Sequence, residues 1–172
     1  MWSTYLLFIL LLICVITDLK ERKIYNAVLF PFLLLALILH AITGGIQGVT
    51  GAVFGMFVGL GILLIPFLLG GMGAGDVKLL AVIGGLKGVT FVLAASVFMA
   101  LAGGVMAIFI LFFRKGVKRR LIQIIYFYLG FFNGVRFPLL HDQEAMKTTY
   151  PYGVAIAAGA IYQAFRVGGI QI

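Results

Sequence analysis

The chain has 172 residues, of which 63% are hydrophobic and 10% charged, and it carries a net charge of +8. This composition is typical of an integral membrane protein and leaves no room for a sizeable soluble domain beside the spans. The basic excess does not indicate a nucleic-acid partner, because in so apolar a chain lysine and arginine more often set topology and contact anionic lipids. The single cysteine, Cys14, cannot form an internal disulfide.

Uncharged runs locate the membrane spans, since a helix needs about 20 apolar residues to cross the bilayer. The first two runs cover 2–17 and 25–42, and the charged segment 18–23 separates them. The Thr-Gly-Gly sequence at 43–45 predicts a turn. A third span follows at about 49–69.

The long stretch 77–113 carries one charge, Lys87. As a single helix it would be about 55 Å long, which exceeds the hydrocarbon core of about 30 Å. We therefore predict a glycine-rich turn at 84–88, a short fourth span at 76–86 and a fifth span at 90–113.

A basic block at 114–120 begins a polar and aromatic region at 114–149, which we predict to be a cytoplasmic loop. Within it, 121–132 is apolar but too short to span, so it indicates an interfacial or re-entrant helix. The sixth span is predicted at 150–165. The predicted fold is therefore an all-α membrane protein, with about six transmembrane helices and a cytoplasmic interfacial helix in a single domain, 1–172.

The basic residues test this arrangement. One predicted side holds eleven of them: Lys20, Arg22, Lys23, Lys78, Arg114, Lys115, Lys118, Arg119, Arg120, Arg136 and Lys147. The other side holds only Lys87 and Arg166. By the positive-inside rule the first side is cytoplasmic, so both termini lie outside. Asp18 and Asp76 then fall on the cytoplasmic side together.

These two aspartates each lie at the edge of a hydrophobic span. A carboxylate at membrane depth costs about 2.5–3.5 kcal/mol on insertion scales, so an intramembrane acid indicates a functional site. Two neighbouring carboxyl groups hold one proton between them. The ionised one can activate water while the protonated one donates to a carbonyl oxygen, which is peptide hydrolysis without a metal. Gly73 and Gly75 would leave room for an extended peptide beside Asp76.

Simpler roles exist for the same residues. Asp18 can be an ordinary interfacial acid beside basic neighbours, and Asp76 can cap the fourth helix or pair with Lys78. Lys78 can instead hold a substrate carboxylate, or extend to the headgroups as an interfacial lysine. We expect Asn26 to order the loop after the first span. No histidine has a ligand-like partner in spacing, so no metal site is predicted.

Two motifs resemble the signatures of the type IV prepilin peptidase family. The run Asp18-Leu19-Lys20-Glu21-Arg22-Lys23-Ile24-Tyr25-Asn26 is similar to its first signature, an Asp followed by Ile-Pro-Asn, although Tyr25 replaces the usual proline. The run Gly73-Ala74-Gly75-Asp76-Val77-Lys78 matches its second, Gly-X-Gly-Asp-Val/Ile-Lys. Presenilin-type proteases, a more distant likeness, share the Gly-X-Gly-Asp element. A weaker likeness extends to Pro151-Tyr152-Gly153.

The resemblance implies that Asp18 and Asp76 are catalytic. From the residues themselves, we predict that Gly73, Gly75, Lys78 and Asn26 bind substrate or support the pair. The resemblance also implies an inner-membrane aspartyl endopeptidase, without a cofactor, that cuts the leader of prepilin-like proteins at the cytoplasmic face. The size and layout resemble those of the small single-domain members of the tight-adherence type or of archaeal relatives. This sequence shows no four-cysteine domain, so the N-methyltransferase activity of the large family members is not expected. The alternative function is a small proton-coupled transporter or channel component that uses the two aspartates as proton carriers.

Overall fold

The computed structural model describes residues 2–69, 71–113 and 152–168. In these ranges it consists of helices and short connections and contains no strand, which confirms the all-α class for this part of the chain. The helices are α1 (Trp2–Glu21), α2 (Asn26–Leu68), α3 (Ala74–Lys87), α4 (Val89–Phe113) and α5 (Tyr152–Gly168). The predicted loop at 114–149, with its interfacial helix at 121–132, lies outside the described residues.

Helix α2 is two helical arms joined by a reversal at Gly45. Gly45 has φ 56° and ψ −143°, a conformation that favours glycine. A Cβ atom on Gly48 would collide with the carbonyl oxygen of His40. Eight residues of continuous helix would separate these positions by about 12 Å, so the chain folds back here. The reversal lies where the turn at 43–45 was predicted.

In the described part of the chain, three helical stretches are long and apolar enough to cross a membrane: α1, α2 and Val89–Met106 of α4. Large apolar side chains are exposed on these helices, including Leu12, Phe57 and Leu101. Such a surface suits contact with lipid rather than water. The protein is therefore a membrane protein, while the number of six spans stays a prediction.

Helix α3 is short and lies among the others. It has 14 residues, about 21 Å in length, and its side chains from Leu79 to Leu86 are buried. Gly55 of α2 lies directly against Gly84, so that a Cβ on either residue would collide with the backbone of the other. The helix ends at Lys87 and the break falls at Gly88, with φ 83°.

The predicted turn at 84–88 is therefore corrected. Gly84 and Gly85 are buried helical residues that face α2, and only Gly88 leaves the helix. The physical reason is that glycine serves close helix packing as well as turns. Composition alone does not separate these two uses.

Helices α1 and α3 run in opposite directions. At one end, Lys87 Nζ donates to Thr4 Oγ1 over 2.6 Å, which joins the end of α3 to the start of α1. Asp18 lies near the end of α1 and Asp76 near the start of α3, so both occur at the opposite end of this pair. Helix α5 also packs against α1, where the rings of Phe8 and Phe165 are 6.1 Å apart.

The chain divides into two compact units. One consists of Met1–Gly103 with Thr149–Ile172, and the other of Gly104–Thr148. Of the second unit, the structure describes only the helical segment from Gly104 to Phe113. All residues of the candidate site belong to the first unit. The prediction of a single polytopic domain stays a prediction.

Candidate active site

Asp18 is buried near the end of α1, with 4% of its surface exposed. Its carboxyl lies against the first turn of α5, where the backbone N–H groups of Gly153 and Val154 donate towards it. A Cβ on Gly153 would stand 2.6 Å from Asp18 Oδ2. Oδ2 is fully enclosed and has no hydrogen-bond partner of regular geometry in the described part of the chain. The first turn of a helix, whose N–H groups have no carbonyl partner within the helix, thus faces this carboxyl.

Asp76 occupies the first turn of α3 and is 7% exposed. The N–H of Gly73 donates to Asp76 Oδ2 over 3.2 Å, and the N–H of Asp76 donates to the carbonyl of Gly73 over 3.2 Å. The carboxyl therefore holds the start of the helix, where negative charge is favourable. The sequence suggested Asp76 as the N-cap residue itself, but the N-cap is Gly73 and Asp76 bonds back to it from the first turn, because the helix begins two residues earlier, at Ala74.

Both aspartates line one cavity of about 350 Å³. Its wall comes from three segments: the end of α1, the connection to α2, and the start of α3. The lining residues are Asp18, Arg22, Lys23, Ile24, Tyr25, Asn26, Gly73, Ala74, Gly75 and Asp76. A cavity of this size matches sites that bind small ligands or a short stretch of peptide. The structure thus brings together two acids far apart in sequence.

Of the four other predicted site residues, three line the cavity and the fourth bonds to one of them. Gly73, Gly75 and Asn26 line the cavity. Lys78 lies outside it, and its Nζ donates to Asn26 Oδ1 over 3.0 Å. This bond ties the start of α2 to α3. Lys78 is therefore linked to the cavity through Asn26, and the structure shows no bond from Lys78 to Asp76.

Gly75 is required by the close approach of the α1–α2 connection. A Cβ at this position would stand 2.9 Å from the Cβ of Ile24 and 3.3 Å from its carbonyl oxygen. A side chain on residue 75 would push the connection away from α3. The glycine thus lets the connection form one wall of the cavity.

Sequence reasoning did not place two groups of residues in the site. Arg22, Lys23 and Ile24 line the cavity, yet they were considered only as topology determinants or as members of a motif. Gly153 contacts Asp18, and its signal was the weak likeness at Pro151-Tyr152-Gly153. A single short motif did not reveal that α5 packs against α1.

His40 lies at the opposite end of the bundle from the cavity. His40 Nε2 lies 3.3 Å from the carbonyl oxygen of Leu86, and its ring meets Trp2 edge to face at 4.9 Å. Among the described residues, no three His, Cys, Asp or Glu side chains are grouped as metal ligands would be. Cys14 is buried as a free thiol. The predicted lack of a metal stays a prediction.

The helices and the cavity define a class: a helical membrane protein with two buried aspartates in one cavity. The sequence model of the type IV leader peptidase family matches residues 5–108, a range that contains both aspartates and their motifs. The chain therefore belongs to the type IV leader peptidase family, which confirms the resemblance and supports a peptidase. No curated protein matches the chain significantly, and neither does any solved structure.

Proposed function

We propose that the protein is an aspartyl endopeptidase that removes the leader peptide of type IV prepilin-like proteins. Membership of a leader peptidase family supports the peptidase activity. The observation that carries the aspartyl mechanism is the shared cavity of Asp18 and Asp76. Both carboxyls are buried. The backbone N–H groups of Gly153 and Val154 point towards Asp18, and the N–H of Gly73 donates to Asp76.

The reaction needs only these two carboxyl groups and a water molecule. The ionised carboxylate takes a proton from water as the water oxygen attacks the scissile carbonyl carbon. The protonated carboxyl gives its proton to the carbonyl oxygen, which forms a neutral gem-diol. The C–N bond then breaks, as the first carboxyl protonates the leaving nitrogen and the second takes a proton from a gem-diol hydroxyl. The pair regains its starting state.

The surroundings suit an extended peptide substrate. A peptide bond inside a helix is shielded from attack, so the substrate must unwind where water can reach it. The cavity lies at the ends of α1 and α3, and Gly73 and Gly75 reduce the bulk of its wall. We propose that the junction between a short basic leader and the following hydrophobic helix enters here.

We further propose that the protein crosses the inner membrane six times with the cavity on the cytoplasmic side. The eleven basic residues on that side support this orientation. They would also contact anionic lipid headgroups. The substrate would then be cut at the cytoplasmic face of the membrane.

The test is cleavage of a prepilin-like substrate by the purified protein in detergent micelles. We expect one cut between the leader and the hydrophobic helix, located by mass spectrometry and unaffected by EDTA. Loss of activity with EDTA that zinc restores would contradict the aspartyl mechanism. No cleavage, together with proton flux in liposomes that Asp18→Asn abolishes, would instead support the proton-carrier alternative.

A further inference from the structure

The connection between α1 and α2 is a short non-helical segment, residues 23–25, that lies along the cavity. Helix α1 ends at Glu21, and Arg22 turns the chain with a left-handed φ of 51°. Tyr25 is extended, with φ −83° and ψ 132°. Lys23, Ile24 and Tyr25 all line the cavity that holds the two aspartates.

The backbone of the 23–25 segment has unused hydrogen-bonding groups. The carbonyl of Tyr25 accepts from the N–H groups of Val28 and Leu29, over 3.0 and 3.2 Å. Within the described residues, the three N–H groups of the segment and the carbonyls of Lys23 and Ile24 form no backbone hydrogen bond. Backbone groups of this kind are strong donors and acceptors. The Ile24 carbonyl lies against Gly75 of α3, and the described residues leave the other groups available to a ligand.

The segment is held in place on both sides. At its start, the N–H of Arg22 donates to the carbonyl of Asp18 over 2.9 Å. Beyond its end, Asn26 accepts from Lys78 of α3. Its middle residue, Ile24, lies against Gly75. A segment fixed in this way loses little conformational entropy when a ligand binds.

An extended peptide has the complementary set of groups. Its own N–H and C=O groups point alternately to either side, and they can pair with the backbone groups of a non-helical segment in the way that a strand joins a sheet edge. We propose that residues 23–25 dock the substrate main chain in this way, so that the scissile bond is held beside Asp18 and Asp76. The inference rests on the proposed peptidase function and names how its substrate binds.

The direct test is a series of substrates in which single backbone amides are replaced by esters. Each ester removes one N–H donor and leaves every side chain unchanged, and the scissile bond itself is kept as an amide. We expect esters at alternate positions to lower kcat/KM by about three- to tenfold, the effect of losing one hydrogen bond. Esters at the positions between them should change kcat/KM by less than about twofold.

Two further measurements complete the test. The Asp76→Asn protein should bind the same ester peptides more weakly at the same alternate positions, which separates docking from catalysis. The Lys23→Ala protein should keep the alternating pattern, because the proposed contacts use the main chain.

Cleavage of the parent substrate without any alternating pattern would overturn docking at 23–25, as would loss of the pattern in Lys23→Ala. Failure to cleave the parent substrate would contradict the proposed function instead.

Discussion

The carboxyl of Asp18 lies directly against the backbone of Gly153, the second residue of α5. A Cβ on Gly153 would stand 2.6 Å from Asp18 Oδ2 and 3.0 Å from Cγ. The N–H groups of Gly153 and Val154 donate towards the same carboxyl. The first turn of α5 therefore sets where this aspartate sits, although it lies 135 positions later in the sequence.

Gly153→Ala should impair catalysis more than folding. The added methyl group must displace the Asp18 carboxyl, and a shift of about 1 Å in a catalytic group can cost about a hundredfold in rate. We expect a tenfold to hundredfold loss of kcat, measured as the initial rate of leader cleavage. Gly61→Ala is the matched control, because a Cβ at Gly61 meets nothing within 4 Å. Equal kcat in the two variants would contradict the positioning role.

Gly84→Ala should instead lower stability. Its Cβ would collide with the backbone of Gly55 in α2, and the backbone cannot move aside as a flexible side chain can. We expect a loss of about 1–3 kcal/mol in the free energy of unfolding, the usual cost of overpacking. Denaturant titration in micelles measures it, with Gly61→Ala again as the control. An unchanged midpoint would show that α2 and α3 are less closely packed than the structure indicates.

Lys78 and Asn26 should act as one unit. If Lys78 serves the site through its 3.0 Å bond to Asn26, then Lys78→Met and Asn26→Ala each remove the same interaction. We expect each to lower kcat/KM by about threefold, and the double variant to lose no more than either alone. Additive losses would favour the alternative in which Lys78 binds a substrate carboxylate by itself.

The orientation can be tested with single cysteines in a Cys14→Ala background. Lys20 is exposed near the end of α1, and Thr43 is exposed beside the reversal in α2. The positive-inside rule predicts that Lys20→Cys reacts with an impermeant thiol reagent only from the cytoplasm, and Thr43→Cys only from outside. The opposite labelling would place the aspartates on the outer face.

Much of the site followed from the sequence because the acids are conspicuous there. Asp18 and Asp76 interrupt long uncharged runs, and the cost of a carboxylate in that setting indicated a function before any fold was known. The reversal at Gly45 was also predicted, because the glycines at 44 and 45 are typical of a turn and glycine readily adopts the positive φ found there. These features are local, and a local signal is enough to find them.

Other features depend on which helices meet. Gly84 was assigned to a turn, but it serves the close contact with Gly55, a residue 29 positions earlier. Lys78 was considered for Asp76 and instead bonds to Asn26. Gly153 contacts Asp18 only because α5 packs on α1. Hydrophobic runs set the length of a helix and do not select its neighbours, so these contacts required the structure.

The central claim is that Asp18 and Asp76 act together on a peptide bond. The most direct measurement compares cleavage of a prepilin-like substrate by Asp18→Asn, Asp76→Asn and Glu21→Gln, each purified and checked for folding. An amide can serve neither as the acid nor as the base, so both aspartate variants should fall below detectable turnover. Glu21→Gln makes the same carboxyl-to-amide change at an exposed acid one turn from Asp18. Its amide oxygen can still accept from the hydroxyl of Tyr25, as the Glu21 carboxylate does, so activity should stay near that of the unmodified protein. Substantial turnover by either folded aspartate variant would contradict the paired mechanism.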